Sequence, residues 1–225
     1  MRKTTLGGLA TVAFCLALIL GVAPQANAIT DGTSNATFAW SAGSVTITLT
    51  ALNADPANVG QVLSGLSFTT TDGSVGTSLT SSSGTERTIN SNGTFVNGAT
   101  LSTGWGFGNL SGTNELCVVC PASGVNSPGA TATPEHLIIG APGGGGVYTG
   151  NASILGNAPH NPFLIGTGGG VTFTIAGNFT ADTRVSTFQF TYGTTFTNTP
   201  EPTSLLLLGA GLTGLGIWRM KKGQA

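Results

Sequence analysis

Val45-Thr46-Ile47-Thr48-Leu49-Thr50-Ala51 alternates apolar and threonine residues without a break. Successive side chains of an extended backbone point to opposite faces, so this run places Val45, Ile47, Leu49 and Ala51 on one face and three threonines on the other. Threonine suits such a position because its branched Cβ fits the pleat while its hydroxyl meets water. The same period returns in Val171, Phe173 and Ile175 against Thr172 and Thr174, and in Phe188, Phe190 and Tyr192 against Thr187, Gln189 and Thr191. Phe38 with Trp40 and Leu66 with Phe68 are shorter examples. Asp31-Gly32, Asp72-Gly73, Asn92-Gly93 and Asn97-Gly98 supply turn signals between the runs. Short strands with Gly-rich turns, and no helical period, predict a mainly β domain: an antiparallel β-sandwich of jelly-roll type. A threonine-rich solenoid would need a fixed repeat, and none is present. From about 104 to 170 the pattern is less regular, with glycine runs at 143–146 and 168–170, and loops decorating one end or edge are expected there.

Of 225 residues only seven are Lys or Arg and eight are Asp or Glu, while glycine alone contributes 36. A charge-solubilised disordered chain is excluded, because 40% of the residues are hydrophobic. Nucleic-acid binding is disfavoured as well, since neutralising phosphates takes clustered Lys and Arg. Five of the seven bases sit at the ends, as Arg2, Lys3, Arg219, Lys221 and Lys222. Between Ile29 and Thr199 seven acids face two bases, a net of −5 with no lysine at all.

The ends read as addresses. Arg2 and Lys3, an apolar stretch from about Leu9 to Val22, and Ala26-Asn27-Ala28 form the three parts of a secretory signal peptide, with cleavage expected after Ala28. Three segments follow: 1–28 as signal peptide, 29–199 as exported β domain, and 200–225 as a tail. The tail begins Pro200-Glu201-Pro202, and prolines fit a helix start. Residues 203–218 then make a Leu/Gly-rich helix rising about 24 Å, short but workable against a hydrocarbon core near 30 Å. Arg219, Lys221 and Lys222 follow as a basic anchor that the positive-inside rule keeps cytoplasmic.

A Pro-Glu-Pro triplet, a short Leu/Gly-rich helix and a terminal basic cluster, in that order, resemble the PEP-CTERM sorting signal of Gram-negative bacteria. The resemblance covers about the last 23 residues, and its basic cluster is mixed Arg/Lys where the family tends towards Arg. It implies a membrane-embedded exosortase as processing partner, with Pro200, Glu201 and Pro202 as the recognised triplet. It also implies transient anchoring in the inner membrane, then release to the cell surface or extracellular matrix in association with exopolysaccharide.

In an exported protein the pair Cys117 and Cys120 is expected to form a disulfide. His136 and His160 do not complete a zinc spacing with them, and the acids are too scattered for calcium, so no metal or cofactor is expected. Glu86 beside Arg87, and Asp182 near Arg184, read as solvated local charges. No nucleophile elbow or phosphate loop is present, and no catalytic residue is assigned. Gly104-Trp105-Gly106-Phe107-Gly108 leaves two readings open: Trp105 and Phe107 stack on a sugar ring, as in a lectin, or they fill a core edge. A hydrolase would need two carboxylates, with Glu86, Glu115 and Glu135 as candidates. The expectation is therefore a non-enzymatic surface or matrix structural protein, with a carbohydrate-binding module as the alternative.

Overall fold

The computed structural model describes residues 26–118, 135–156 and 160–194. The expected signal peptide up to 25, Cys120, the sorting triplet, the helix 203–218 and the basic anchor lie outside these residues.

The described chain is built from twelve strands and one 3-10 turn, Val59–Gln61. The first three strands are β1 (Ala26–Thr30), β2 (Ser34–Ser41) and β3 (Ser44–Ala51). Next come β4 (Leu63–Thr70), β5 (Gly76–Ile89), β6 (Phe95–Leu101), β7 (Gly106–Leu110) and β8 (Thr113–Cys117). The last are β9 (Ile138–Ile139), β10 (Phe163–Ile165), β11 (Val171–Gly177) and β12 (Val185–Tyr192). The mainly β expectation holds. Hydrogen bonding joins all twelve strands into one sheet, in the order β1-β2-β3-β11-β5-β10-β9-β4-β8-β7, with β12 on β4 and β6 on β5. The pairing is antiparallel except for β9 and β10, which run parallel through Leu164 opposite Ile138.

The alternation read from the sequence sets the register. Leu49, Ile47 and Val45 lie opposite Val171, Phe173 and Ile175 on one side and opposite Ala36, Phe38 and Trp40 on the other. All nine of these side chains are fully buried. From β4, Phe68 meets the same layer, its ring centroid 5.1 Å from Phe38 and 6.3 Å from Trp40. Since β2 and β4 are distant in the strand order, the sheet curls back and encloses its core.

The fourteen-residue β5 makes the curl possible. Its first half pairs with β11 and its second half with β6 and β10. Register shifts at Thr174/Ile175 and Thr85/Arg87 bend the strand between these partners, as bulges do. At the junction sits Gly84, where a Cβ would press within 3.1 to 3.3 Å of Leu164 and Val171. On the outer faces hydroxyl groups pair across strands: Thr69 with Thr187 at 2.6 Å, Thr85 with Thr100 at 2.7 Å and Ser82 with Ser102 at 3.2 Å.

The stretch from 104 to 170 is mostly irregular among the described residues, as expected, yet it is built into the core. It contributes β7 to β10 and the buried side chains Leu116, Leu137, Ile138, Tyr148, Ile154 and Phe163 to the core.

Candidate functional site

The expected cleavage point lies inside an edge strand. Ala26, Asn27 and Ala28 pair with Ala39, Phe38 and Thr37 of β2, while Ile29 and Thr30 pair with Ala36 and Asn35. Cleavage after Ala28 therefore removes three of the five residue pairs of β1 and leaves two.

Beyond β1 the turn is an Asx turn. Asp31 Oδ1 accepts from the Thr33 amide at 2.8 Å, the Thr33 hydroxyl at 2.9 Å and the Ser34 amide at 2.7 Å. The other carboxylate oxygen accepts a short hydrogen bond from the Tyr192 hydroxyl at the end of β12. Thr33 Oγ1 lies 2.6 Å from the same phenol oxygen. Burial opposes ionisation of Asp31, but the bonds from Tyr192, Ser34 and Thr33 prevail and hold its carboxyl below the ordinary range. Burial and the Asp31 carboxylate push the Tyr192 phenol upward. The start and the end of the domain are thus tied together at one corner. The sequence signalled the turn through Asp31-Gly32, but Tyr192 reads there only as one more apolar-face residue.

A second polar cluster lies on the second half of β5. His136 places Nε2 3.0 Å from Glu86 Oε1 and Nδ1 3.0 Å from the Thr103 carbonyl oxygen. Both partners are acceptors, so both ring nitrogens are engaged by fixed protein groups. The pair straps the chain around residue 136 to β5, and neither nitrogen points at a serine or threonine hydroxyl.

Arg87 corrects the reading of Glu86 and Arg87 as solvated charges, because it is 6% exposed. Alternation along β5 turns Arg87 inward. There Nε donates to Asn97 Oδ1 at 3.0 Å, Nη1 donates to the Tyr148 hydroxyl at 2.9 Å, and the guanidinium lies 4.0 Å from the Phe95 ring centroid. Tyr148 in turn donates to the Gly140 carbonyl at 2.7 Å. Its phenol is raised by burial, with the Arg87 bond acting in the opposite direction. Arg184 donates to the carbonyl oxygens of Ala181 and Thr183.

Of the two readings of Trp105, the structure takes the core edge. The indole is 3% exposed, packs against Phe173 at 5.1 Å between ring centroids, and donates from Nε1 to the His136 carbonyl at 2.9 Å. Phe107 is half-buried against Gly76, where a Cβ would meet the ring at 2.4 Å. Trp105 therefore offers no free face to a sugar. Glu115 is buried in β8, and Glu135 is exposed. Cys117 is buried at the end of β8, and Cys120, its expected partner, lies outside the described residues. Among those residues no group of three His, Cys, Asp or Glu side chains could hold a metal ion. No helix among them is long and apolar enough to cross a membrane.

Neither a curated relative nor a solved structure matches the chain. The tail does find a match: residues 198–222 fit the family model of the PEP-CTERM protein-sorting motif, which marks the chain as an exported protein sorted through exosortase.

Proposed function

We propose that this chain is an exported structural protein of the bacterial surface or extracellular matrix, processed by exosortase and devoid of catalysis of its own. The observation that carries the reading is the sorting motif at 198–222, joined to a β domain whose inward charged and aromatic groups are engaged by one another. In this reading the signal peptide leaves after Ala28, and the helix 203–218 holds the precursor in the inner membrane. Arg219, Lys221 and Lys222 stay on the cytoplasmic side. Exosortase reads Pro200-Glu201-Pro202 and cuts nearby, releasing a jelly-roll-like sandwich, clipped by a Cys117–Cys120 disulfide, to the exopolysaccharide. The scarcity of charge supports a neutral, hydroxyl-rich polymer environment over an ionic partner.

The test is the mass of the chain isolated from a host with exosortase and from the same host lacking it. The expected product ends near residue 200 in the first case and keeps 29–225 in the second. Deleting Pro200–Pro202 should also leave the long form. Intact 29–225 in the presence of the enzyme overturns the reading.

A further inference from the structure

We propose that Asp31, Thr33 and Tyr192 form a positioning clasp for exosortase processing, setting how much chain is free to carry the sorting triplet to the enzyme. The proposal rests on the sorting reading above and adds residues that the motif does not contain.

The last described ladder contact of β12 is the bond from the Gly193 amide to the Val62 carbonyl at 2.8 Å. Gly193 has φ +73°, and a Cβ there would come within 2.9 Å of Gly60 Cα. One residue earlier, the Tyr192 hydroxyl reaches 161 positions back along the chain to Asp31 and also contacts Thr33. The same turn is held from its other side, because the Thr33 carbonyl accepts from the amides of Leu52 and Asn53. Strand β12 is therefore fixed up to its final residue, at a corner where Tyr192 is partly buried against the hydrophobic core and Asp31 is exposed.

Two consequences bear on processing. Pro200 lies eight residues past Tyr192, so a clasped chain carries the triplet at most about 26 to 29 Å from the phenol-bearing residue. Ile29, the expected new N-terminus, lies two residues before Asp31. After cleavage the mature N-terminus and the departing tail therefore share one corner, which becomes the pole facing the membrane. If the clasp opens, β12 can peel from β4, and each freed residue adds about 3.3 to 3.6 Å of reach.

The experiment uses the full chain in an exosortase-bearing host, with 195–197 removed stepwise, short of the matched motif, and with or without Tyr192→Phe. Deleting all three residues withdraws about 10 Å of reach. It is expected to slow processing at least tenfold, and Tyr192→Phe in that background to restore it threefold or more. Asp31→Asn should act in the same direction. Hydrogen exchange on the full chain gives the second readout: the Gly193 amide should exchange roughly five-fold faster in Tyr192→Phe, with the Ile47 and Phe173 amides unchanged. Processing of the shortened chain that ignores Tyr192→Phe, or equal Gly193 exchange, overturns the clasp while sorting stands. A shortened tether cut at the parent rate does the same. A parent tether left uncut in the presence of exosortase overturns the sorting reading, and the clasp falls with it.

Discussion

Replacing Trp105 by alanine separates a core tryptophan from a sugar-stacking one. The side chain is 3% exposed and packs on Phe173, and its N–H is bonded to the His136 carbonyl. Truncating a buried tryptophan removes about 3 to 5 kcal/mol, which includes the cavity left behind. Loss of the indole hydrogen bond leaves a carbonyl short of its donor, worth about 1 kcal/mol. Because Trp105 sits at the core's edge, where neighbours and water can relax into the space, about 3 to 4 kcal/mol is the expected total. Against a typical 5 to 15 kcal/mol for a whole domain, the variant should remain folded but lose a large share of its margin. With a urea dependence near 2 kcal/mol per molar, the unfolding midpoint should fall by about 1.5 to 2 M. Trp105→Phe keeps a ring against Phe173 and should lose about half as much. The assay is equilibrium urea unfolding of the mature domain followed by circular dichroism, alongside retention on the host's own polysaccharide. A Trp105→Ala midpoint within about 0.2 M of the parent, combined with lost retention, would refute the core assignment.

Two further perturbations probe other parts of the domain. Asp72 is exposed, and its slight desolvation is outweighed by bonds from the Thr183 hydroxyl at 2.7 Å and the Ser74 amide at 3.0 Å, which bring its pKa down to about 2. Its folded value lies below the unfolded one, so the stabilisation is present above about pH 4 and is lost as pH falls towards 2. Solvent screening limits it to about 1 kcal/mol or less. Asp72→Asn should therefore flatten the acid limb of stability between those values, and parallel pH profiles for variant and parent would contradict the assignment. Arg87→Ala removes the donor to Asn97 and Tyr148 and the cation above Phe95, with an expected loss of about 3 kcal/mol in urea unfolding. Arg87→Lys should recover less than half of that, since an ammonium cannot span both partners as the guanidinium fork does.

How far each part could be read ahead depends on how local its cause is. The strand Ser44–Ala51 was legible because every second residue faces the core, and burial follows that alternation position by position. In β5 the same rule is broken by bulges and by runs of serine and threonine that mask the inward positions. Arg87 looked solvated for this reason, although its strand phase and the partners Tyr148 and Asn97 turn it inward. The short strands β9 and β10 have no pattern of their own and exist because Ile138 and Leu164 find each other across a long separation. At the corner, the Asp31 turn was visible in its local residues, whereas its bond to Tyr192 depends on the path of the whole chain.

The paired hydroxyls across the outer faces, such as Thr69 with Thr187 and Thr85 with Thr100, bear on how the domain responds to ionic strength. Mobile ions act on charges separated by more than about 8 to 10 Å at ordinary salt, and a face of neutral donors and acceptors gives them little to screen. Hydration of this surface should therefore change little between dilute and brackish surroundings, so that the folded domain stays soluble where a protein kept apart by like charges would begin to associate.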